Sequence, residues 1–175
     1  MRLTQLAATQ AQFTPLPDRD YGTGCSTRNT VSLSALQADR DRLALTNLGP
    51  VACPLATTFA AWARFGVDRA ARQEFGSPLK KIETFGSYSC RNVAGSTRRS
   101  AHASAQAIDV AAFVLEDGRR ISVKDGWQGN AAERRFLQTI QTSACKRFGT
   151  VLGPGYNRAH EDHFHLEENG GGFCR

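Results

Sequence analysis

Four histidines occur in this 175-residue chain, and all four fall in two short segments. Ser-Ala-His-Ala-Ser-Ala-Gln-Ala-Ile-Asp occupies 100–109, and His-Glu-Asp-His-Phe-His occupies 160–165. Together they offer His102, Asp109 and His165 as nitrogen and oxygen donors. A hydrolytic zinc site needs three such protein ligands and one open position for water. Zinc held this way brings the pKa of its water to about 7 and polarises a carbonyl. A nearby group that takes a proton and hands it to the leaving amine completes the chemistry. The chain supplies this inventory and little else that is reactive.

The spacing points to strands and loops. His102 and Asp109 are seven apart, which does not match the i, i+4 pair of a helical HExxH site, and no HExxH occurs. Residues two apart on a strand share a face. His163 and His165 should therefore point into one site, with Asp162 and Phe164 turned the other way. That parity makes His163 the first choice for the proton-handling group. His160 is off the strand register and reads as a structural or rim residue. Partners that fix the histidine tautomers are expected, with Ser100 and Glu167 as candidates. Tyr156 reads as a pocket wall on the substrate side.

These residues need elements to position them. Cys53–Phe65 is expected to be a buried helix, with Pro54 in its first turn and Gly66 ending it. Lys80–Ser89 alternates as a strand, with Ile82 and Thr84 on one side. Ala107–Leu115 is an apolar run, followed by Glu-Asp-Gly-Arg (116–119) and a return strand from Arg120 to Val123, which is a strong hairpin signal. Asn130–Cys145 reads as a helix, with Asn130 as its cap, Glu133 three residues on, and Phe136, Leu137 and Ile140 as its buried stripe. Phe148–Leu152 and His163–Glu167 are further strands joined around Gly153-Pro154-Gly155. Residues 1–20 are expected to form an irregular arm, and the pattern as a whole is α+β.

Composition narrows the setting. Apolar residues make up 41% and charged residues 22%, as in globular domains. There is no run of about 18 apolar residues, so no membrane span is expected. Lysine and arginine number 22 against 16 acidic residues, a net charge of +6 that suits an acidic polymer such as bacterial wall material. No dense basic tract with interleaved aromatics occurs, which counts against nucleic acid. The five cysteines are scattered with no CxxC, so disulfides in an oxidising compartment are expected, with one thiol left over and the pairing open. Met-Arg-Leu-Thr-Gln-Leu lacks the apolar core of a secretory signal. A periplasmic or secreted protein is expected, with its leader removed or its export by another route.

Ser100, His102, Ala107 and Asp109 match the SxHxxGxAxD motif, and His163-Phe164-His165 matches a distal His-x-His. On these residues the chain resembles zinc peptidases of bacterial wall metabolism, which include D-alanyl-D-alanine carboxypeptidases, dipeptidases and murein endopeptidases. From about Tyr21 it more closely resembles the bacterial extensin-like C-terminal domain family. The carriers are Tyr-Gly-Thr-Gly-Cys (21–25), Gly-Ser-Tyr-Ser-Cys-Arg (86–91), Phe-Gly-Thr-Val-Leu-Gly-Pro (148–154), the 160–165 segment and the terminal Cys-Arg.

The resemblance implies one domain over 21–175. Its fold would be that of the zinc D-Ala-D-Ala peptidases and hedgehog proteins, with a small antiparallel sheet carrying the metal and helices flanking it. His102, Asp109 and His165 would bind Zn2+, and His163 would act beside it. Arg91 corresponds to an arginine that contacts a substrate carbonyl or carboxylate. Asp162 is the alternative base, because related enzymes carry an acid three residues before the last histidine. Ala105 departs from the motif, which has glycine there. The function implied is hydrolysis of a peptide bond in peptidoglycan stem peptides or crosslinks, by a monomer. Two alternatives stand beside it. One is a non-catalytic zinc module that binds wall or protein, as the hedgehog signalling domain keeps zinc without hydrolysis. The other is the wall-degrading part of a secreted antibacterial effector, with an immunity protein as partner.

Overall fold

In the computed structural model, which describes residues 3–175, strands alternate with helices around one mixed sheet. The chain opens with α1 (Leu3–Ala8), β1 (Gln12–Pro15), β2 (Arg19–Gly22), β3 (Cys25–Thr27), β4 (Thr30–Gln37), β5 (Arg42–Thr46) and β6 (Val51–Ala52). A long helical unit follows, made of α2 (Cys53–Ala61), a π-helical stretch (Trp62–Asp68) and α3 (Arg69–Phe75). Next come β7 (Leu79–Gly86), a 3-10 turn (Ala101–Ser104), β8 (Ala107–Leu115), β9 (Arg120–Ser122), α4 (Val123–Gly126) and α5 (Ala131–Arg147). The chain ends with β10 (Thr150–Leu152), a second 3-10 turn (Arg158–His160), β11 (Phe164–Glu167) and β12 (Phe173–Cys174).

The main sheet has ten strands in the order β1-β4-β5-β7-β8-β11-β10-β12, with β6 beside β4 and β9 beside β8. It is larger than the small antiparallel sheet expected, and it is mixed. β5 runs parallel to β7, and β10 runs parallel to β12. Parallel neighbours need a long crossover, and the α2–α3 unit supplies it between β5 and β7. β8 is buried along nearly its whole length, as its unbroken apolar run requires. Its hairpin to β9 turns at Asp117-Gly118, with Gly118 at φ 91°. α5 starts at Asn130, whose side-chain oxygen accepts the Glu133 N–H at 2.9 Å.

Two expectations are corrected. Residues 3–20, the described part of the expected irregular arm, are ordered instead: α1 forms and β1 pairs with β4 at an edge of the sheet. Leu6 is fully buried in the core, which is what holds this segment down. Gly66 does not end the helix. The chain continues through a π-helical turn to Gly76, where φ is 68°. Gly66 is instead a point of close approach to α5. A Cβ there would lie 2.5 Å from Ser143 Oγ and 2.9 Å from Trp62 Cδ1.

The core lies between the helices and one face of the sheet. Leu55, Phe59, Trp62, Phe113, Phe136 and Ile140 are fully buried or nearly so within it. Alternation sorts the two strands that matter for chemistry. Ile108, Val110, Phe164 and Leu166 enter this core, so Asp109 and His165 between them face the opposite side. Burying the apolar positions thus fixes which side of the sheet the polar ones occupy.

Candidate metal centre

β8 and β11 pair antiparallel, and Asp109 stands directly opposite His165. The His165 ring Nδ1 is 3.0 Å from Asp109 Oδ1, and its Nε2 is 2.8 Å from Glu167 Oε1. His102 comes from the 3-10 turn before β8. Ser100 caps that turn by accepting the His102 N–H at 3.2 Å. The turn closes at Ala105, which takes the left-handed conformation (φ 58°, ψ 28°) that the motif's glycine would adopt freely. The departure from the motif therefore keeps the loop shape, with alanine bearing some strain. His102, Asp109 and His165 are all buried, and one donor atom from each lies within 4.8 Å of the others.

The tautomer of His102 tests whether these residues fit a metal. Its Nδ1 is 3.1 Å from the Ser87 carbonyl oxygen, which can only accept, so Nδ1 carries the proton. The lone pair of the neutral ring is then at Nε2. That atom is buried, lies 3.1 Å from Asp109 Oδ2, and makes no hydrogen bond of acceptable geometry. A nitrogen lone pair facing a carboxylate in a buried site repels it unless a cation sits between them. The donor set fits a metal ion. Two imidazoles and a carboxylate suit zinc or another first-row divalent ion.

Electrostatics follow the same geometry. Burial alone would raise the Asp109 carboxyl; in the metal-free site the His102 ring, where it is protonated, and the His165 ring outweigh it and hold the group well below the usual carboxylate range. Burial would lower His165, yet Asp109 and Glu167 push it up to about 9. His160 moves the other way, to about 4, through burial and then its neighbours His163 and His165.

His163 precedes β11 and lies beside the cluster, its Nε2 3.7 Å from Asp109 Oδ1. Its Nδ1 is 2.7 Å from Asp162 Oδ1. Asp162 therefore does not turn away as strand parity suggests. It lies just outside β11, where parity does not apply, and it orients His163 from behind. His160 lies in the cleft wall, close to two of the other histidines. Its ring centroid is 5.0 Å from that of His163 and 5.9 Å from that of His165. It sits in a 3-10 turn, off the strand register as expected.

A cleft of about 310 Å³ opens onto these groups. Asp109, His163, His165 and Glu167 line its floor, and Tyr156, Asn157 and His160 form one wall. Tyr156 is exposed and stands edge-on to His160, with ring centroids 5.4 Å apart. The other wall is a small hairpin over 91–100, which presents Arg91, Val93, Arg98 and Ser100. The Cys25–Cys90 disulfide fastens this hairpin to the two-stranded β2–β3 sheet. Ser100 lines the cleft but holds the main chain of His102, not its ring. The Ser87 carbonyl fixes the tautomer, and nothing in the sequence singled it out. Glu167 does hold its histidine. Arg98 was not foreseen.

The pattern of family-characteristic segments now has its counterpart in a family model. The model described as extensin-like protein C-terminus matches residues 2–175. The chain belongs to this extensin-like C-terminal family. The match includes the N-terminal residues as well as the body from Tyr21. Comparison with curated proteins and with solved structures found no match to either. Cys145–Cys174 is the second disulfide, and Cys53 is a free, buried thiol. Two disulfides in this extensin-like domain point to an extracytoplasmic setting. Among the described residues no helix is long and apolar enough to cross a membrane.

Proposed function

We propose that this extensin-like domain is a zinc-dependent peptidase that hydrolyses a peptide bond in peptidoglycan stem peptides or crosslinks. One observation carries the reading: the buried Nε2 of His102, which makes no hydrogen bond, faces the Asp109 carboxylate, and Asp109 and His165 in turn line an open cleft. The resemblance of the 100–109 and 163–165 segments to wall zinc peptidases supports it and names the substrate class. His102, Asp109 and His165 would hold the ion. Bound zinc would supply Lewis acidity and a water of lowered pKa.

The remaining steps belong to the chain itself. Asp162 accepts from Nδ1–H of His163, which leaves Nε2 facing the cleft to take and return a proton. This makes His163 the base and Asp162 its orienting partner. Arg91 offers a fork of donors to a substrate carbonyl or carboxylate. Tyr156 and Ser100 line the cleft where the peptide would lie.

The test is incubation of the full chain with purified sacculi, chromatography of the released fragments, and metal analysis of the same samples. Near-stoichiometric zinc and new fragments are expected. His102→Ala should lose both, and His163→Ala should keep zinc and lose cleavage. Zinc retained with no cleavage by any form would favour the non-catalytic binding module. Absence of zinc, with activity surviving His102→Ala, would sink the metal reading altogether.

A further inference from the structure

The 91–100 hairpin has two different faces. Asn92 pairs with Arg99, Val93 N–H donates to Arg98 O at 2.8 Å, and Ser100 N–H donates to Arg91 O at 3.0 Å. Gly95, at φ 73°, lies in the turn between the strands. Alternation then sends Arg91, Val93, Arg98 and Ser100 to one side, and all four line the cleft, together with Ala94 of the turn. Asn92 and Arg99 lie on the other side. Arg99 donates to Asn92 Oδ1 at 3.2 Å and to the Thr23 carbonyl at 2.8 Å, so the outer face is spent on bracing.

Arg91 and Arg98 are diagonal cross-strand neighbours, which places them about 7–8 Å apart along the hairpin. Like charges at such positions repel. Among the described residues, no carboxylate forms an ion pair with either guanidinium. The acids near the cleft are already committed. Asp109 faces His102 and His165, Glu167 holds His165, and Asp162 holds His163. Two unpaired guanidiniums on one cleft wall, fixed by a hairpin and a disulfide, are arranged for anions that the chain itself does not supply.

We propose that Arg91 and Arg98 together form a two-anion subsite, which selects ligands bearing two carboxylates on one side of the cleft. Each guanidinium can take one carboxylate through paired N–H donors. The substrate class is then an acidic peptide with two carboxylates close together, such as a free C-terminus next to an acidic side chain. This deepens the peptidase reading, on which it rests for the reaction but not for the binding.

The test is calorimetric titration of the metal-free full chain with glutarate and with its monomethyl ester, at low salt. Glutarate should bind about tenfold tighter, the value of one charge-assisted contact. Arg98→Gln should remove that preference while leaving the monoester within about twofold, and a thermal melt would show the fold intact. Equal binding of the two probes by the unmodified chain, no binding of either, or a preference that survives Arg98→Gln would each overturn the proposal. The readout requires neither zinc nor turnover. A failed sacculus assay therefore leaves it standing, and a failed glutarate preference leaves the cleavage reading standing.

Discussion

Asp109 and His165 are opposed residues on adjacent antiparallel strands, and their side chains meet at 3.0 Å. Sheet register thus sets two of the three candidate ligands. A one-residue slip of either strand would turn its ligand to the apolar core, where Ile108 and Leu166 now sit, so the hydrophobic pattern guards the site. The third ligand depends on a four-residue turn held by Ser100 and Ala105.

Glu167 bears on metal affinity without being one of the three donors. Its Oε1 faces His165 Nε2, and this fixes the ring and leaves Nδ1 toward Asp109. Such carboxylate partners contribute about 10–100-fold in metal affinity. Glu167→Gln should weaken zinc binding by about that factor with the fold unchanged, as read by competition with a chromophoric chelator. An unchanged affinity would mean that the carboxylate is only a neighbour.

The metal-free chain should show a specific pH response. Its His165 is pushed up to about 9 from 6.5; burial opposes this shift, and Asp109 and Glu167 impose it. A raised folded pKa gives stability that is full below the unfolded value and lost as pH rises through the folded one. Urea midpoints of the metal-free chain should therefore fall between about pH 6.5 and 9. Zinc competes with the ring proton, so the loaded chain should lose less, and the gap between the two forms should widen over that window. A flat or rising midpoint without metal would contradict this.

The Cys25–Cys90 bond closes a long loop and braces one cleft wall. Replacing both cysteines with alanine should cost about 2–4 kcal/mol in urea unfolding. Zinc content should persist, because no metal donor lies on the hairpin. Cleavage and glutarate selectivity should fall, because Arg91 and Arg98 lose their fixed spacing. Zinc loss in parallel with cleavage would show that the brace reaches the metal itself.

Gly66→Ala tests the long helical unit. The added methyl meets Ser143 Oγ at 2.5 Å and the buried Trp62 ring at 2.9 Å. Overpacking of this kind costs about 1–3 kcal/mol, and it should appear as a lower urea midpoint with zinc content intact. A midpoint equal to that of the unmodified chain would show that α5 can shift outward freely.

The candidate donors were legible in the sequence because they sit on or beside two strands whose alternation is unmistakable. His163 was legible for the same reason. Asp162 was misplaced because it lies just outside β11, where parity carries no information, and His163, one residue before the strand, is reached only because it abuts the strand. The N-terminal segment looked irregular because β1 is only four residues long and owes its existence to pairing with β4. Gly66 looked like a helix stop because local propensity cannot show that α5 passes close by. Arg98 was hidden in a short polar loop whose pairing emerges only in three dimensions. The cysteine pairing was likewise a matter of distance in the fold, not spacing in the chain.

Cys53, at the start of α2, is fully buried, and burial pushes its thiol up. A sequestered, protonated thiol is inert toward exchange. Correct oxidation in this chain is therefore a question of timing: α2 must seat against the sheet before the other four thiols find oxidant. Cys53→Ala should raise the yield of correctly paired chain on oxidative refolding, and an unchanged yield would show that the core closes first without help.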